Sequence, residues 1–165
     1  MRRVPSPSPY KHQQITKGES KMDMSDLERR LTRLEDIEAI KQLKVRYSHI
    51  CDDMHNPDNI ASVFAEDGIW ESADFGTAVG HAEIRALFVN FKNMFSFSQH
   101  NMTNPLIEIN GNHATGVWYI MGPWNFTQTG AKQWFALRYD DEYVKADGQW
   151  KYKHLRVALR MAEDR

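Results

Sequence analysis

Cysteine is almost missing from this chain: Cys51 is the only one in 165 residues. A disulfide framework is therefore excluded, and a reducing compartment such as the cytoplasm is the simpler expectation. Long apolar runs are missing too. None approaches the roughly 20 residues that a bilayer-spanning helix needs, and the first residues lack the apolar stretch of a secretory signal, so no membrane partner is expected. Excess charge of one sign is also absent. The net charge is −1, so no general field draws the chain to nucleic acid or to an anionic surface. The seven histidines show no helical HxxxH, the chain has no paired-cysteine spacing, and no metal ligand set is expected. Glycine-rich phosphate loops, a nucleophile elbow and a nucleotide fingerprint are lacking as well, so no cofactor is expected.

The chain has 41% hydrophobic and 26% charged residues, as a globular protein does, and its length suits one domain with a real core. Met1 to Met24 differs from the rest. It holds three X-Pro steps and almost no apolar residues, so it cannot offset the entropy of ordering and is expected to be disordered. The domain is then expected over residues 25–165.

Ser25-Asp26-Leu27-Glu28 reads as a capping box. From Leu27, apolar residues recur every three or four positions through Leu31, Leu34, Ile37, Ile40, Leu43, Tyr47 and Ile50. This predicts one long amphipathic helix with a core-facing stripe, bent or broken near Leu34 to Asp36, and ending near Asp52 ahead of Asn56-Pro57-Asp58. A short helix is expected from Ile60 to Phe64, and a strand from Ile69 to Ser72. A loop of small residues then runs to Gly80, followed by a helix carrying Ile84, Leu87, Phe88 and Phe91. Asn110-Gly111, Gln128-Thr129-Gly130 and Asp147-Gly148 punctuate the remainder into consecutive antiparallel strands. Helices first and a meander after predict an α+β fold. The strand Val117 to Met121 is apolar on both faces. One face would cover the helices; the other would meet a partner subunit or line a ligand cavity.

Three segments carry a family resemblance. They are Leu34 to Lys44 with Tyr47 and Asp52-Asp53 beyond, Phe64-Ala65-Glu66-Asp67-Gly68-Ile69-Trp70-Glu71 with Gly80 to Ile84, and Tyr139-Asp140-Asp141-Glu142-Tyr143 through Asp147 to Lys151. In this order they resemble the SnoaL-like branch of the nuclear transport factor 2-like superfamily. The pattern is most similar to the group of bile-acid 7α-dehydratase, lindane dehydrochlorinase and scytalone dehydratase. The resemblance implies a cone-shaped barrel, a curved mixed but mainly antiparallel sheet wrapped around the N-terminal helices. It also implies a cofactor-independent lyase or isomerase, dehydratase-like, acting on a small apolar or polycyclic molecule; the both-faced strand Val117 to Met121 separately predicts a homodimer or homotrimer. The alternative on the same fold is a non-catalytic ligand-binding or oligomerisation module.

Such an elimination needs a base and a donor for the leaving group or developing oxyanion. The resemblance puts the base at His100 and the carboxylate that orients it at Asp52; Tyr47, on the core-facing stripe, is read as a phenol donor to a substrate oxygen or as core packing with its hydroxyl at a cavity edge. Asp53 competes with Asp52, because a step of five from Tyr47 turns away from the core stripe unless the helix unwinds there. Arg156, with Arg160 as its alternative, would hold an anionic group. Trp118 and Trp134, with Trp124 and Phe126, would suit a flat substrate or plain packing. One position departs from the pattern. The bile-acid enzymes would have an Asp where this chain has Gly122-Pro123, which argues against bile-acid dehydration itself.

Overall fold

The computed structural model describes residues 23–164. The expected disorder of Met1 to Met24 therefore lies outside the described residues except at its end, where Asp23 and Met24 start the first helix. Helix α1 spans Met24–Asp52, and its cap is Asp23, whose carboxylate accepts from the Asp26 amide at 2.8 Å. The Ser25 hydroxyl donates to the same carboxylate, so the cap sits two residues ahead of the expected box. An ionised side chain is a stronger acceptor than a hydroxyl, and it complements the positive end of the helix. The helix is unbroken at Leu34 to Asp36, where no Gly or Pro interrupts it.

The apolar stripe divides in two. Leu27, Leu31 and Leu34 are exposed, whereas Ile40, Leu43, Tyr47 and Cys51 are buried. Burial begins at Asp36, whose Oδ1 accepts from Trp150 Nε1 at 2.8 Å and from Lys145 Nζ at 2.7 Å. Lys44 lies on the buried stripe with no exposed surface. Its Nζ donates to Asp141 Oδ2 at 2.8 Å and sits 3.7 Å from the centre of the Tyr139 ring. Tyr143 donates to the same carboxylate oxygen and accepts from Trp118 Nε1. This polar chain ties the helix to the sheet through the middle of the core.

After α1 come α2 (Pro57–Ile60), a single 3-10 turn (Ala61–Val63) and β1 (Phe64–Ser72). The expected small-residue loop is in part a strand, β2 (Gly76–Val79), which returns antiparallel on β1. Short strands of small residues give little pattern to read, because hydrogen bonding to β1 rather than side-chain burial holds them. Helix α3 (Gly80–Met94) buries Ile84, Phe88 and Phe91. Strands β3 (Phe95–Ser98), β4 (Asn101–Asn110), β5 (His113–Phe126), β6 (Lys132–Ala146) and β7 (Gln149–Asp164) follow. The sheet order is β2-β1-β7-β6-β5-β3, with β4 also on β5. Among the described strands only β1 and β7 pair in parallel, and bulges or irregularities interrupt the β1–β7, β6–β7, β4–β5 and β3–β5 registers. Bulges increase the bend and twist of a sheet, and this one curls over α1 and α3 as the α+β cone that the resemblance implied.

Strands β3 and β4 share one edge of β5, β3 beside Trp124 to Phe126 and β4 beside His113 to Met121. The break between them, Gln99-His100, crosses β5 at Gly122. A Cβ at Gly122 would lie 1.9 Å from the Gln99 carbonyl oxygen, and the Gln99 amide donates to the Pro123 carbonyl. The Gly at the departing position thus has a physical reason: it lets the chain that presents His100 cross at contact distance. Gly122→Ala is expected to displace this crossing and lower the thermal midpoint by several degrees. An unchanged midpoint in a thermal melt would show that the crossing yields freely.

Candidate active site

The curled sheet, α3 and the last turn of α1 enclose a cavity of about 300 Å³. Its walls are chiefly aromatic: Trp70, Phe88, Phe91, Phe95, Trp124 and Phe135. Among the described residues that line it, none is Lys or Arg, and the one carboxylate is Asp74. The lining also carries Tyr47, Cys51, His55 and His100, with Ser72, Gln133 and Tyr139; the first three are spaced four residues apart along α1 and the turn after it.

His100 and Asp52 meet. Asp52 Oδ1 accepts from His100 Nδ1 at 2.7 Å, and the two carboxylate oxygens lie 3.0 and 3.1 Å from the His100 backbone nitrogen. The carboxylate therefore fixes both the backbone and the ring. The His100 side chain is 5% exposed and that of Asp52 29%, so the carboxylate keeps contact with water while the imidazole faces the cavity. A carboxylate can only accept here, so it selects the Nδ1–H tautomer and leaves the Nε2 lone pair unshared. The Trp124 ring packs edge-on against the imidazole with centroids 5.1 Å apart. No unwinding of α1 is needed, because Asp52 is its last helical residue and the β3–β4 crossing comes to it. Asp53 is the C-cap, and its carboxylate accepts instead from Asn56 Nδ2 at 3.1 Å.

Tyr47 is buried, and its hydroxyl accepts from Trp70 Nε1 at 3.1 Å. Burial pushes its phenol well above the usual range, so it stays protonated and able to donate. His55 was not singled out from the sequence. It follows Met54 in a left-handed turn (φ 54° and 51°), which folds its ring back under the helix end among Phe88, Phe91 and Phe95. Cys51 Sγ and one ring nitrogen each of His55 and His100 lie within 4.8 Å of one another. Continuing the four-residue step from Tyr47 to Cys51 and His55 would have pointed to both.

Burial, and then the neighbouring His100, push the His55 pKa down to about 3. The unfolded chain binds that proton below about pH 6.5 while the fold does not, so stability is full above 6.5 and falls as the pH drops toward 3. At 1.36 kcal/mol per unit the loss is on the order of 4–5 kcal/mol over that window. His55→Asn, which tolerates the left-handed turn, is expected to flatten this part of the curve. Denaturation midpoints at pH 7 and pH 4.5 measure it, and an equal acid loss in both proteins would remove His55 as the cause.

Residues 32–156 match the family described as the SnoaL-like domain. The chain belongs to the SnoaL-like domain family. Solved structures with this SnoaL-like fold include a type 2 hexachlorocyclohexane dehydrochlorinase, with a TM-score of 0.77 and 23% identity over 82% of this chain and 92% of that one. A putative scytalone dehydratase from Novosphingobium aromaticivorans has a TM-score of 0.74 and 25% identity, over 81% of this chain and 90% of the other. A putative aromatic ring hydroxylase from the same organism has a TM-score of 0.74 and 26% identity, over 80% and 94%. A search of curated proteins found no match.

The other expected site residues of this SnoaL-like chain lie elsewhere. Arg156 sits between Leu155 and Val157, both buried, so the two-residue alternation turns it outward. There its Nη1 pairs with Glu142 at 2.9 Å, and its Nε lies 3.5 Å from Glu71. Arg160 is exposed and lines no part of the cavity. Trp134 points outward for the same reason as Arg156, since its neighbours Gln133 and Phe135 face in. Trp118 does face in, but deeper, with its indole committed to Tyr143. Trp124 is the indole of that aromatic set that reaches the cavity.

Proposed function

We propose that this protein is a cofactor-independent lyase or isomerase that removes a carbon-bound proton from a small, neutral, apolar or aromatic molecule. The observation that carries this reading is the 2.7 Å contact between His100 Nδ1 and Asp52 on the wall of an aromatic cavity. His100 Nε2 takes the proton beside an activating group, and the Asp52 carboxylate stabilises the imidazolium that forms. Tyr47 donates to the oxygen on which charge develops. In an elimination the imidazolium then returns its proton to the departing hydroxide or similar group, and a double bond forms; in an isomerisation it returns the proton to a different carbon. Among the described residues no Lys or Arg lines the cavity, which argues against a carboxylate or phosphate substrate, whose charge would be left unpaired. The dehydrochlorinase and dehydratase neighbours support the same class of chemistry. The test is a panel of neutral cyclic compounds with a β-leaving group, scored for release by the wild type and by His100→Ala. Release that survives the substitution would refute the reading.

A homodimer or homotrimer is part of this reading. Leu106, Tyr119, Met121 and Met161 are exposed on the outer face of the sheet, and such a patch is costly to leave in water. Light scattering is expected to give a dimer or trimer of the 19.3 kDa chain. A monomer at micromolar concentration would contradict it.

A further inference from the structure

Cys51, His55 and His100 come from the last turn of α1, the left-handed turn after it and the β3–β4 crossing. They meet at one wall of the cavity with one donor atom each, all within 4.8 Å of one another. We propose that these three side chains form a binding site for Zn²⁺, with its fourth position open to the cavity. The donor set is one thiolate and two imidazoles, which suits zinc and disfavours magnesium or calcium. With Zn–S near 2.3 Å and Zn–N near 2.05 Å, tetrahedral ligands stand roughly 3.3–3.6 Å apart. The side chains must therefore close by about an ångström, within reach of small χ rotations.

Two further features match a metal site. The His100 Nδ1–H donates to Asp52 and leaves Nε2 for an ion, the carboxylate–histidine arrangement that orients a metal-bound imidazole and raises its basicity. Charge also balances: Zn²⁺, a Cys51 thiolate and the Asp52 carboxylate sum to zero, so the ion enters a mostly apolar pocket without net charge. On binding, the Cys51 S–H proton leaves to solvent as the S–Zn bond forms. His55 is held in place by two successive left-handed residues without glycine, Met54 and His55, a strained turn of the kind that concentrates at functional sites.

Occupancy would take the His100 Nε2 lone pair. Resting on the proton-abstraction reading above, zinc would then silence the base, and a chelator would restore it. The binding claim itself needs no substrate. The tag-free full chain, stripped with a chelator, is titrated with Zn²⁺ by calorimetry and with Co²⁺ by absorption. One ion per chain is expected, with a cobalt–thiolate charge-transfer band and the intense visible bands of a tetrahedral site. Cys51→Ser should remove the charge-transfer band and weaken Zn²⁺ by at least about a hundredfold. His55→Asn should weaken it similarly, and Asp52→Asn by about 10–100-fold. Binding unchanged in Cys51→Ser and His55→Asn, or no saturable binding in the folded wild type, would overturn the site. Zinc binding with turnover that ignores His100 would sink the lyase reading alone; His100-dependent turnover without zinc binding would sink the metal site alone.

Discussion

Lys44→Ala is expected to cost about 3–5 kcal/mol of folding stability, the range for leaving one charge of a buried pair uncompensated. Both partners of the Lys44–Asp141 pair are fully buried. Burial pulls the lysine pKa down and pushes the carboxyl pKa up, and each charge offsets part of the other's penalty. Remove the ammonium, and Asp141 keeps only the Tyr143 hydroxyl as donor, while its Oδ1 already lacks a partner. A native domain has about 5–15 kcal/mol in total, so the variant should melt on the order of 10–15 °C lower. Asp141→Asn should lose less, because an amide still accepts from Tyr143 and Lys44. Replacing both partners by apolar residues of similar size should recover most of the loss, since the pair's net worth is small compared with the cost of breaking it. Chemical denaturation of the two single variants and the double variant measures this. A double variant as unstable as the sum of the singles would show that the two charges do not compensate each other in the core.

The largest expected effect on activity falls on the dyad. His100→Ala should abolish turnover while the cavity still binds ligands. Asp52→Asn keeps an acceptor near the ring but removes the charge, and its amide can reverse the tautomer, so activity should fall by about 10²–10⁴-fold. Tyr47→Phe should cost roughly the 0.5–1.5 kcal/mol of one neutral hydrogen bond, about 2–13-fold. If the dyad only holds the β3–β4 crossing to the helix end, the ordering reverses. Asp52→Asn, which loses charged bonds to the His100 backbone and ring, would then show its main effect in the thermal midpoint.

The sequence showed local features best. Asn110-Gly111 and Asp147-Gly148 mark their hairpins because the turn geometry demands those residues, and α1, α3 and the meander follow from periodicity. Family resemblance, rather than spacing, pointed to Asp52 and His100, since 48 residues separate them and the helix step alone turned Asp52 away. Inward or outward facing on the late strands was less legible. Bulges in β6–β7 shift the register, and a Trp or Arg on an apolar strand reads the same on either face, so Trp134 and Arg156 were expected in the cavity and lie outside it. Lys44 was silent for a different reason. A lone lysine on an apolar helix face ordinarily extends to water, and its partner lies 97 residues away. Cys51 and His55 were passed over because the turn signal of Asn56-Pro57-Asp58 ended the helix near Asp52, so the four-residue step from Tyr47 was not carried through Cys51 to His55.

Proton abstraction by His100 is most directly tested by hydrogen–deuterium exchange on carbon, which needs no leaving group. α-Tetralone is a neutral aryl ketone with acidic protons beside its carbonyl, and a flat bicycle suits an aromatic cavity of about 300 Å³. Incubated with the protein in D₂O near neutral pH, it is followed by proton NMR, and its binding by quenching of tryptophan fluorescence. The account predicts enzyme-dependent loss of the α-proton signal with wild type, and none above background with His100→Gln, which still quenches on binding. Exchange at the wild-type rate in His100→Gln, or no exchange in a wild-type protein that binds the ketone, would contradict it.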